Sequence, residues 1–306
     1  MRTPLTGTIL RTVTGLYRYV ISRFFSRRRD SWLGTKYSGT LSSSNMESEK
    51  VSIIIPTRDK LESLRRSVDS VIRGSRQLNA QLIIIDNGSV EQATLEFLTQ
   101  LASQGHQVIR VDEKFNYSKL INTGILASEG KIIVLMNNDV ECKSKYWLSN
   151  LINPLRQIPS SGIIGMPLTY PGTGIIQHFG VVLGRHGIAG NVWRGELLTK
   201  DLVEETHSSL IPVSAVTFAL AAFRRELVEE IGLLDEKFRV GLNDVDFCVR
   251  ANAAGFTNFI TTFSVQSHEE SLSRGKKMNL KSSLTALVEI TRFLAKHGFP
   301  KDPYFT

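Results

Sequence analysis

Three apolar segments of the sequence each end in polar side chains that can bind a metal ion, a phosphate or a sugar. The segment VSIII precedes PTRD at residues 56–59, LIII precedes Asp86, and IIVLM precedes NND at residues 137–139. Such residues are also common in turns, so any one of them alone has an ordinary explanation. Ligands of open α/β sheets bind beyond the carboxyl ends of the strands. Three successive polar strand ends therefore favour one shared binding cleft.

A fourth candidate for chemistry is Asp244, in the segment GLNDVDFCVRANAAG. On a helix, Asp244 shares its face with Phe247 and Cys248, whereas Asp246 points the opposite way and shares a face with Arg250 as an ordinary surface pair. Burial against apolar side chains would raise the pKa of Asp244, as a general base requires. Acids in a first helical turn also have a purely structural explanation, because the helix dipole favours them.

Alternating strand and helix patterns position these residues. Four apolar runs have strand length: 51–55, 82–85, 108–111 and 131–136. Three helical patterns lie between them: near 60–73, 91–103 and 117–128. This alternation predicts a parallel α/β sheet with right-handed crossovers. The second half is less regular, with Gly-rich loops from 162 to 195, and the elements predicted after them are a strand at 211–217 and helices near 224–231, 243–254 and 280–296.

Composition and motifs exclude several classes of protein. The chain has two cysteines, Cys142 and Cys248, which are too few for a disulfide framework or a cysteine-built zinc site. This cysteine usage suits a reducing, cytosolic compartment. Neither G-x-G-x-x-G nor G-x-x-x-x-G-K-[ST] occurs, so dinucleotide-dependent redox chemistry and P-loop chemistry lose their usual signatures.

The net charge of +8 belongs to the N-terminal tail. Residues 1–36 contain eight basic residues and one acid, Asp30, which leaves 29 basic and 28 acidic residues elsewhere. A nucleic-acid-binding surface is therefore not indicated. Apolar residues recur in this tail at helical spacing: Ile9, Leu10, Val13, Leu16, Tyr17, Val20, Ile21 and Phe24.

Arginines interrupt this apolar stripe, so the tail is not expected to span a bilayer. It also lacks the separate apolar block and the cleavage site of a signal peptide. A basic amphipathic helix of this kind can lie on an anionic membrane surface. The alternative is a helix that packs on its own domain or on a partner. We expect four regions: the basic segment at 1–37, a Ser-rich linker at 38–50, a catalytic domain at 51–270, and a C-terminal loop and helix at 271–306.

In order along the chain, five segments resemble the motifs of family 2 glycosyltransferases with the GT-A fold: VSIIIPTRDKLESLRRSVDSV, LIIIDNGS, FNYSKLINTGILASEGKIIVLMNNDVE, GLNDVDFCVRANAAG and HEESLSRG. The resemblance is closest to bacterial rhamnosyltransferase-like and O-antigen-type members. It implies a single α/β domain in which a nucleotide-binding parallel βαβ half joins a mixed-sheet acceptor half. It also implies an enzyme that uses a nucleotide-diphosphate sugar and Mn²⁺ or Mg²⁺.

The resemblance places the donor nucleotide among the polar strand ends. It implies that Thr57, Arg58 and Asp86 line the nucleoside site, with the Asp86 carboxylate accepting hydrogen bonds from the base. Further contacts to the nucleotide sugar are implied for these residues: Lys119, Asn138, Asp139 and Arg274. Lys119 can equally be a solvated helix lysine, and Arg274 can equally belong to a solvated basic loop.

The same resemblance implies that Asp139 and His268 hold the metal. The segment NND stands where the family has D-x-D, so Asn137 replaces one acid, and substrate phosphates are expected to complete the site. Asp244 matches the aspartate of the family's E-D motif, the general base, with Asn243 in place of the glutamate. Phe218 replaces a glycine next to the donor sugar, where we expect its ring to narrow the pocket. Candidate acceptor contacts are His178, His186, Trp193 and Arg194.

These observations predict an inverting glycosyltransferase that moves a hexosyl or rhamnosyl unit onto a hydroxyl of a glycan or lipid-linked acceptor. We expect it in the cytoplasm, with the basic tail on the cytoplasmic face of the inner membrane. One alternative is a GT-A-like domain that binds glycan or nucleotide without turnover, since two family acids are replaced. A nucleotidyltransferase is less favoured, because PTRDKLES lacks a Gly-rich basic loop.

Overall fold

A computed structural model describes the following residues: 49–76, 78–184, 188–200, 202, 210–269, 280–299 and 301–305. The proposed N-terminal segment at 1–37 lies outside these ranges, and only Glu49 and Lys50 of the proposed linker lie inside them.

The described strands are β1 (Val51–Thr57), β2 (Ala80–Asp86), β3 (Gln107–Arg110), β4 (Ile132–Met136), β5 (Val140–Glu141), β6 (Ser161–Gly165), β7 (Leu168–Thr169), β8 (Ile176–His178), β9 (Val181–Leu183), β10 (Ala189–Asn191), β11 (Leu210–Val213), β12 (Leu220–Arg224), β13 (Thr257–Thr261) and β14 (Gln266–His268). The described helices are α1 (Leu61–Gly74), α2 (Gln92–Ser103), α3 (Tyr117–Ala127), α4 (Trp147–Gln157), α5 (Arg225–Ile231), α6 (Asn243–Ala253) and α7 (Leu280–His297). None of these helices combines the length and the hydropathy needed to cross a bilayer.

The main sheet has eight strands in the order β11-β13-β6-β12-β4-β1-β2-β3. Strands β3, β2, β1 and β4 are parallel, and β12 then pairs antiparallel with both β4 and β6. The chain leaves β1 toward β2 and β3 and returns on the other side as β4. This reversal of strand order lies between β1 and β4, which is where open α/β sheets bind ligands. The predicted parallel half joined to a mixed half is confirmed.

The two faces of this sheet are both buried because the apolar strands are covered by helices on each side. Along β1, Ile54 packs in one layer with helices α3, α6 and α7, whereas Ile53 and Ile55 pack in the other layer with α1 and α4. The side chains of β4 alternate in the same way, with Leu135 on the first face and Val134 on the second. This alternation explains why continuous apolar runs form strands here.

Helix α3 carries Tyr117 and Lys119 in its first turn. A capping side chain holds its N-terminus, and its second half packs closely on β1. The Asn116 side chain caps it by accepting a hydrogen bond from the Lys119 backbone N–H at 3.3 Å. In its second half, Gly124 lies directly on β1, where an added Cβ would come within 2.5 Å of Ile54 Cγ2. The missing side chain therefore sets how closely α3 approaches the sheet.

The second half departs from the sequence prediction. The strand predicted at 211–217 ends at Val213, and residues 214–219 leave the sheet to contact other elements. The region 162–195, predicted as loops, contains five short strands from β6 to β10. Helix α4 was not predicted, because Pro154 interrupts its pattern near the end. Four short strands form a second, separate sheet in the order β5-β14-β7-β8.

We predict that Gly124→Val lowers the free energy of unfolding by about 1–3 kcal/mol, because the new side chain overpacks the fully buried Ile54. Urea denaturation followed by circular dichroism measures this change. The matched control is Leu126→Val, which introduces the same side chain on the same helix at a position that is 73% exposed. Equal stabilities for the two variants would contradict the proposed close contact.

Candidate active site

The polar ends of the parallel strands meet at the switch point between β1 and β4. Thr57 ends β1 and pairs in register with Asp86, which ends β2. After β4, Asn138 Nδ2 donates a hydrogen bond to Thr57 Oγ1 at 2.9 Å. Thr57 is buried and Asn138 is half-buried, so their contact joins the ends of β1 and β4 at this edge of the sheet.

The Asp86 carboxylate is buried and already engaged. Its Oδ1 accepts the Ser89 backbone N–H at 2.9 Å, and its Oδ2 lies 2.8 Å from Arg110 Nη1. Each carboxylate oxygen has a second lone pair, so a further donor such as a nucleobase N–H can still bind. Sequence reasoning missed Arg110, whose only signal was a basic residue at the end of the neighbouring strand β3.

The turn after Arg58 has an unusual backbone. Asp59 and Lys60 are consecutive non-glycine residues with φ of 53° and 63°, in the left-handed region that L-residues rarely adopt. The Asp59 carboxylate holds this turn by accepting the backbone N–H groups of Val90 and Glu91 at 2.8 and 2.9 Å. Arg58 itself is exposed at the rim of the strand ends. Strain of this kind concentrates at ligand-binding sites.

Lys119 pairs with a neighbour on the protein surface. Its Nζ lies 2.6 Å from Glu113 Oε2, and this hydrogen bond raises the pKa of the ammonium group. The pairing favours the interpretation of Lys119 as a surface lysine over that of a diphosphate contact. Arg274 and His186 lie outside the described residues.

The segment NND is held by the backbone on both sides. The Asn137 N–H donates to Ala219 O at 2.8 Å, and the Glu269 N–H donates to Asp139 O at 3.0 Å. Strand β5 follows directly and pairs antiparallel with β14, which puts His268 opposite Val140. Two segments that are 129 residues apart in the sequence numbering thus bring Asp139 and His268 together.

Asp139 and His268 form a buried pair of metal-type ligands. Asp139 Oδ1 lies 3.0 Å from His268 Nε2, and the two side chains are only 8% and 10% exposed. On the other side of the ring, His268 Nδ1 lies 2.5 Å from Gln177 Oε1. Because an amide oxygen only accepts, this contact places a ring proton on Nδ1, and Nε2 faces the Asp139 carboxylate.

Among the described residues Asp139 Oδ1 is buried and makes no hydrogen bond. A carboxylate oxygen and an imidazole nitrogen at this separation are oxygen and nitrogen donors that one divalent cation could share. The residues therefore fit the implied metal. Within the described ranges no group of three or more His, Cys, Asp or Glu side chains could hold it. Oxygen atoms of substrate and water would have to complete the coordination, as is usual for Mg²⁺.

His178, on the strand next to Gln177, supports the segment that precedes β12. Its Nε2 accepts the Thr217 N–H at 3.3 Å, and its Nδ1 donates to Asn191 Oδ1 at 2.6 Å. Burial lowers the pKa of His178 to about 4, so the ring is neutral at pH 7. Sequence reasoning grouped His178 with acceptor contacts, and nothing in IQHFG indicated this supporting role.

Residues 216–219 connect the metal-type pair to helix α6. Ala219 O accepts from Asn137, Thr217 N–H donates to His178, and Val216 O accepts from Cys248 Sγ on α6 at 3.9 Å. Asp244 lies at the start of that helix and is half-buried; burial raises the pKa of the Cys248 thiol, and the negative charge of Asp244 raises it further. Residues 216–219 thus contact three parts of the fold: Asn137 at the end of β4, His178 in the second sheet, and Cys248 on α6.

The prediction that Asp246 forms a surface pair was wrong. Asp246 is fully buried and binds Arg250, Lys296 and His297, whose nitrogens lie 3.0, 2.7 and 2.8 Å from its carboxylate. Asp244, which we expected to be the buried acid, is half-buried, and its Oδ1 accepts the Val245 N–H at 2.9 Å. Helix α7 covers the face that was expected to be solvent-exposed.

Phe218, which we expected next to the donor sugar, has its ring in the core. The ring lies 5.7 Å from the ring of Phe247 in an edge-on contact and 6.5 Å from that of Phe223. The backbone oxygen of Phe218 instead accepts a hydrogen bond from Tyr117 Oη at 2.9 Å. Phe218 therefore anchors residues 216–219 through its ring and through its backbone oxygen.

Solved glycosyltransferase structures share this architecture. A structure of GalNAc-T7 with UDP, GalNAc and Mn²⁺ aligns with a TM-score of 0.58 and 18% identity, over 74% of this chain and 44% of that protein. The mannosyltransferase PcManGT of Pyrobaculum calidifontis, in complex with GDP-Man and Mn²⁺, aligns with a TM-score of 0.56 and 13% identity, over 95% and 81%. At these identities the likeness establishes the fold, which is the expected GT-A fold.

Two curated relatives are closer in sequence. An uncharacterized protein, y4gI, of Sinorhizobium fredii (strain NBRC 101917 / NGR234) is 40% identical over 235 residues, which are 74% of this chain and 25% of the relative. The O-antigen biosynthesis protein RfbC of Myxococcus xanthus is 34% identical over 230 residues, or 74% and 18%. The chain therefore spans a quarter or less of the length of these relatives.

The family model for glycosyl transferase family 2 matches residues 52–232. This range begins in β1 and ends just after α5, and it includes the polar strand ends, the segment NND and residues 216–219. The match covers more than half of the chain and agrees with the fold. The chain belongs to glycosyl transferase family 2.

Proposed function

We propose that the protein is a metal-dependent inverting glycosyltransferase that moves a sugar from a nucleotide-diphosphate sugar to a hydroxyl of an acceptor. The observation that carries this proposal is the buried contact between Asp139 Oδ1 and His268 Nε2, with Gln177 fixing the imidazole ring. A carboxylate and a neutral imidazole are competent ligands for Mn²⁺. Mn²⁺ or Mg²⁺ held there would neutralise charge on the diphosphate leaving group.

The remaining residues of the cleft have roles in binding. Thr57 and Asp86 lie at adjacent strand ends, where the nucleoside would sit, and Asp86 offers free lone pairs to a base N–H. Asn138, bonded to Thr57, is placed to hold the ribose or a water molecule. Arg58 and Arg274 are proposed as further contacts to the donor.

Asp244 is proposed as the general base. It lies at the first turn of α6, which packs under residues 216–219 through the contact between Cys248 and Val216. A half-buried carboxylate in this position can remove the proton of an acceptor hydroxyl. The hydroxyl oxygen then attacks the anomeric carbon on the face opposite the nucleotide, which inverts the configuration.

The acceptor is proposed to be a glycan or a lipid-linked glycan, since one relative is an O-antigen biosynthesis protein. The basic amphipathic segment at 1–37 would then hold the enzyme against the anionic cytoplasmic face of the inner membrane. Trp193 and Arg194 are proposed acceptor contacts. Trp193 is half-buried, and Arg194 Nη2 lies 3.1 Å from Tyr170 Oη on the exposed rim of the second sheet.

We predict that Asp244→Asn lowers the rate of nucleotide release by about 100-fold or more, since general-base catalysis contributes that much. Release of nucleotide from UDP-glucose, UDP-GlcNAc, dTDP-rhamnose and GDP-mannose in the presence of Mn²⁺ identifies the donor and measures the rate. The matched control is Asp69→Asn, an exposed acid on α1 that should leave the rate unchanged. A wild-type rate in Asp244→Asn would remove Asp244 from the mechanism.

We predict that Asp139→Asn and His268→Ala each weaken Mn²⁺ binding at least tenfold in the presence of UDP. Each variant removes one of two protein ligands from a site that already depends on the diphosphate. Isothermal titration of Mn²⁺ into the protein with UDP measures this directly, without turnover. Unchanged Mn²⁺ affinity in both variants would contradict the proposed site.

The same measurements separate the proposal from its main alternative. A wild-type protein that binds Mn²⁺ and UDP but releases nucleotide from none of the four sugars would be a glycan- or nucleotide-binding domain without turnover. Thermal stabilisation by each nucleotide with Mn²⁺ then identifies the base that it prefers, because a ligand that binds only the native state raises the melting temperature.

A further inference from the structure

Glu289, on helix α7, is a buried carboxylate that binds three successive backbone N–H groups. Its side chain is 3% exposed. Its Oε1 accepts from Arg239 and Val240 at 2.7 and 2.9 Å, and its Oε2 accepts from Gly241 at 3.0 Å. The contacts described for Glu289 are therefore with backbone amides of one loop. Charge-assisted bonds of this kind are among the stronger hydrogen bonds in proteins.

The loop that Glu289 holds leads directly into the first turn of α6. Leu242, the next residue, has a φ of 58°, in the left-handed region that is rare for a leucine. Its backbone oxygen accepts the Asp246 N–H at 2.8 Å and so begins the helix two residues before Asp244. A backbone conformation of this kind persists only where its surroundings hold it in place.

Two further contacts tie this loop to the rest of the site. Arg239 O accepts the Tyr117 backbone N–H at 2.8 Å, and Tyr117 Oη donates to Phe218 O at 2.9 Å. Tyr117 thus links the loop 239–241, which precedes Asp244, to the segment 216–219, which contacts Asn137.

The C-terminal end of helix α7 binds helix α6. Lys296 and His297 bind the buried Asp246 carboxylate. Phe293, which lies between Glu289 and Lys296 on the helix, is fully buried, and its ring lies 6.4 Å from that of Phe238. Helix α7 therefore contacts the residues on both sides of Asp244 in the chain. It lies outside the range that the family model matches.

We propose that Glu289 is a positioning residue for Asp244: it holds the loop 239–241 so that the carboxylate of Asp244 points at the acceptor hydroxyl. The inference rests on the proposed function, in which Asp244 is the base. A misplacement of about 1 Å in a catalytic group can lower a rate about 100-fold, which makes the loop position consequential. No contact between Glu289 and substrate is required for this role.

The test uses Glu289→Gln in the full chain, with nucleotide release from the donor sugar that the wild-type protein turns over. The amide keeps the shape of the side chain but points an N–H at one of the three donors, so the loop loosens. We expect kcat to fall tenfold or more, while KM for the donor stays within about twofold. If Glu289→Gln folds poorly, Glu289→Asp takes its place, because the shorter side chain withdraws the carboxylate by one methylene. We expect the same fall in kcat with KM for the donor nearly unchanged.

A double variant separates positioning from general destabilisation. Since Glu289 is proposed to act through Asp244, adding Glu289→Gln to Asp244→Asn should cause no further loss of kcat. A loss that multiplies the two single effects would overturn the inference. The control Leu287→Ala changes an exposed position of the same helix two residues before Glu289, and its kcat should equal that of the wild type.

Hydrogen exchange of the unliganded protein gives a readout that does not depend on turnover. Amides 239–241 should exchange faster in Glu289→Gln than in the wild type. Faster exchange with an unchanged kcat would overturn the positioning role, whereas the proposed function would stand if Asp244→Asn remained slow. A wild-type rate in Asp244→Asn would instead remove the proposed function, and this inference with it.

Discussion

The contact between Asp139 and His268 is the constraint on which the rest of the site depends. The Asp139 carboxylate and the His268 imidazole lie 3.0 Å apart and are largely shielded from water. Burying a polar group without a partner is unfavourable by about 1–3 kcal/mol. The pairing of β5 with β14 and the hydrogen bond between His268 and Gln177 hold the two side chains together in this buried position.

The first half of the fold could be predicted because its strands are buried on both faces. VSIII, LIII and IIVLM are continuous apolar runs that end in polar residues, so both the strands and their ends are visible in the sequence. The second half contains strands of two to five residues, such as IQH and SGIIG, which are too short to show a period. Their pairing depends on neighbours far along the chain, and a local pattern does not report it.

The two acids of α6 show the same limit at a single site. Helical geometry correctly placed Asp244 and Asp246 on opposite faces, but it did not say which face was covered. The cover is α7, which brings Lys296 and His297 to Asp246 from about 50 residues away. Phe218 is similar, because its ring packs on Phe247 in the core. In both cases tertiary packing decided the surroundings of the residue, and a local sequence pattern does not report that packing.

The short strand β8 links two parts of the site that are chemically distinct. Gln177 orients the imidazole of His268. The adjacent His178 accepts the N–H of Thr217, which belongs to the segment 216–219 that contacts Asn137. Neighbouring side chains on a strand point to opposite faces, so one peptide unit serves both. A substitution in this strand would therefore disturb the orientation of the His268 ring and the position of residues 216–219 together.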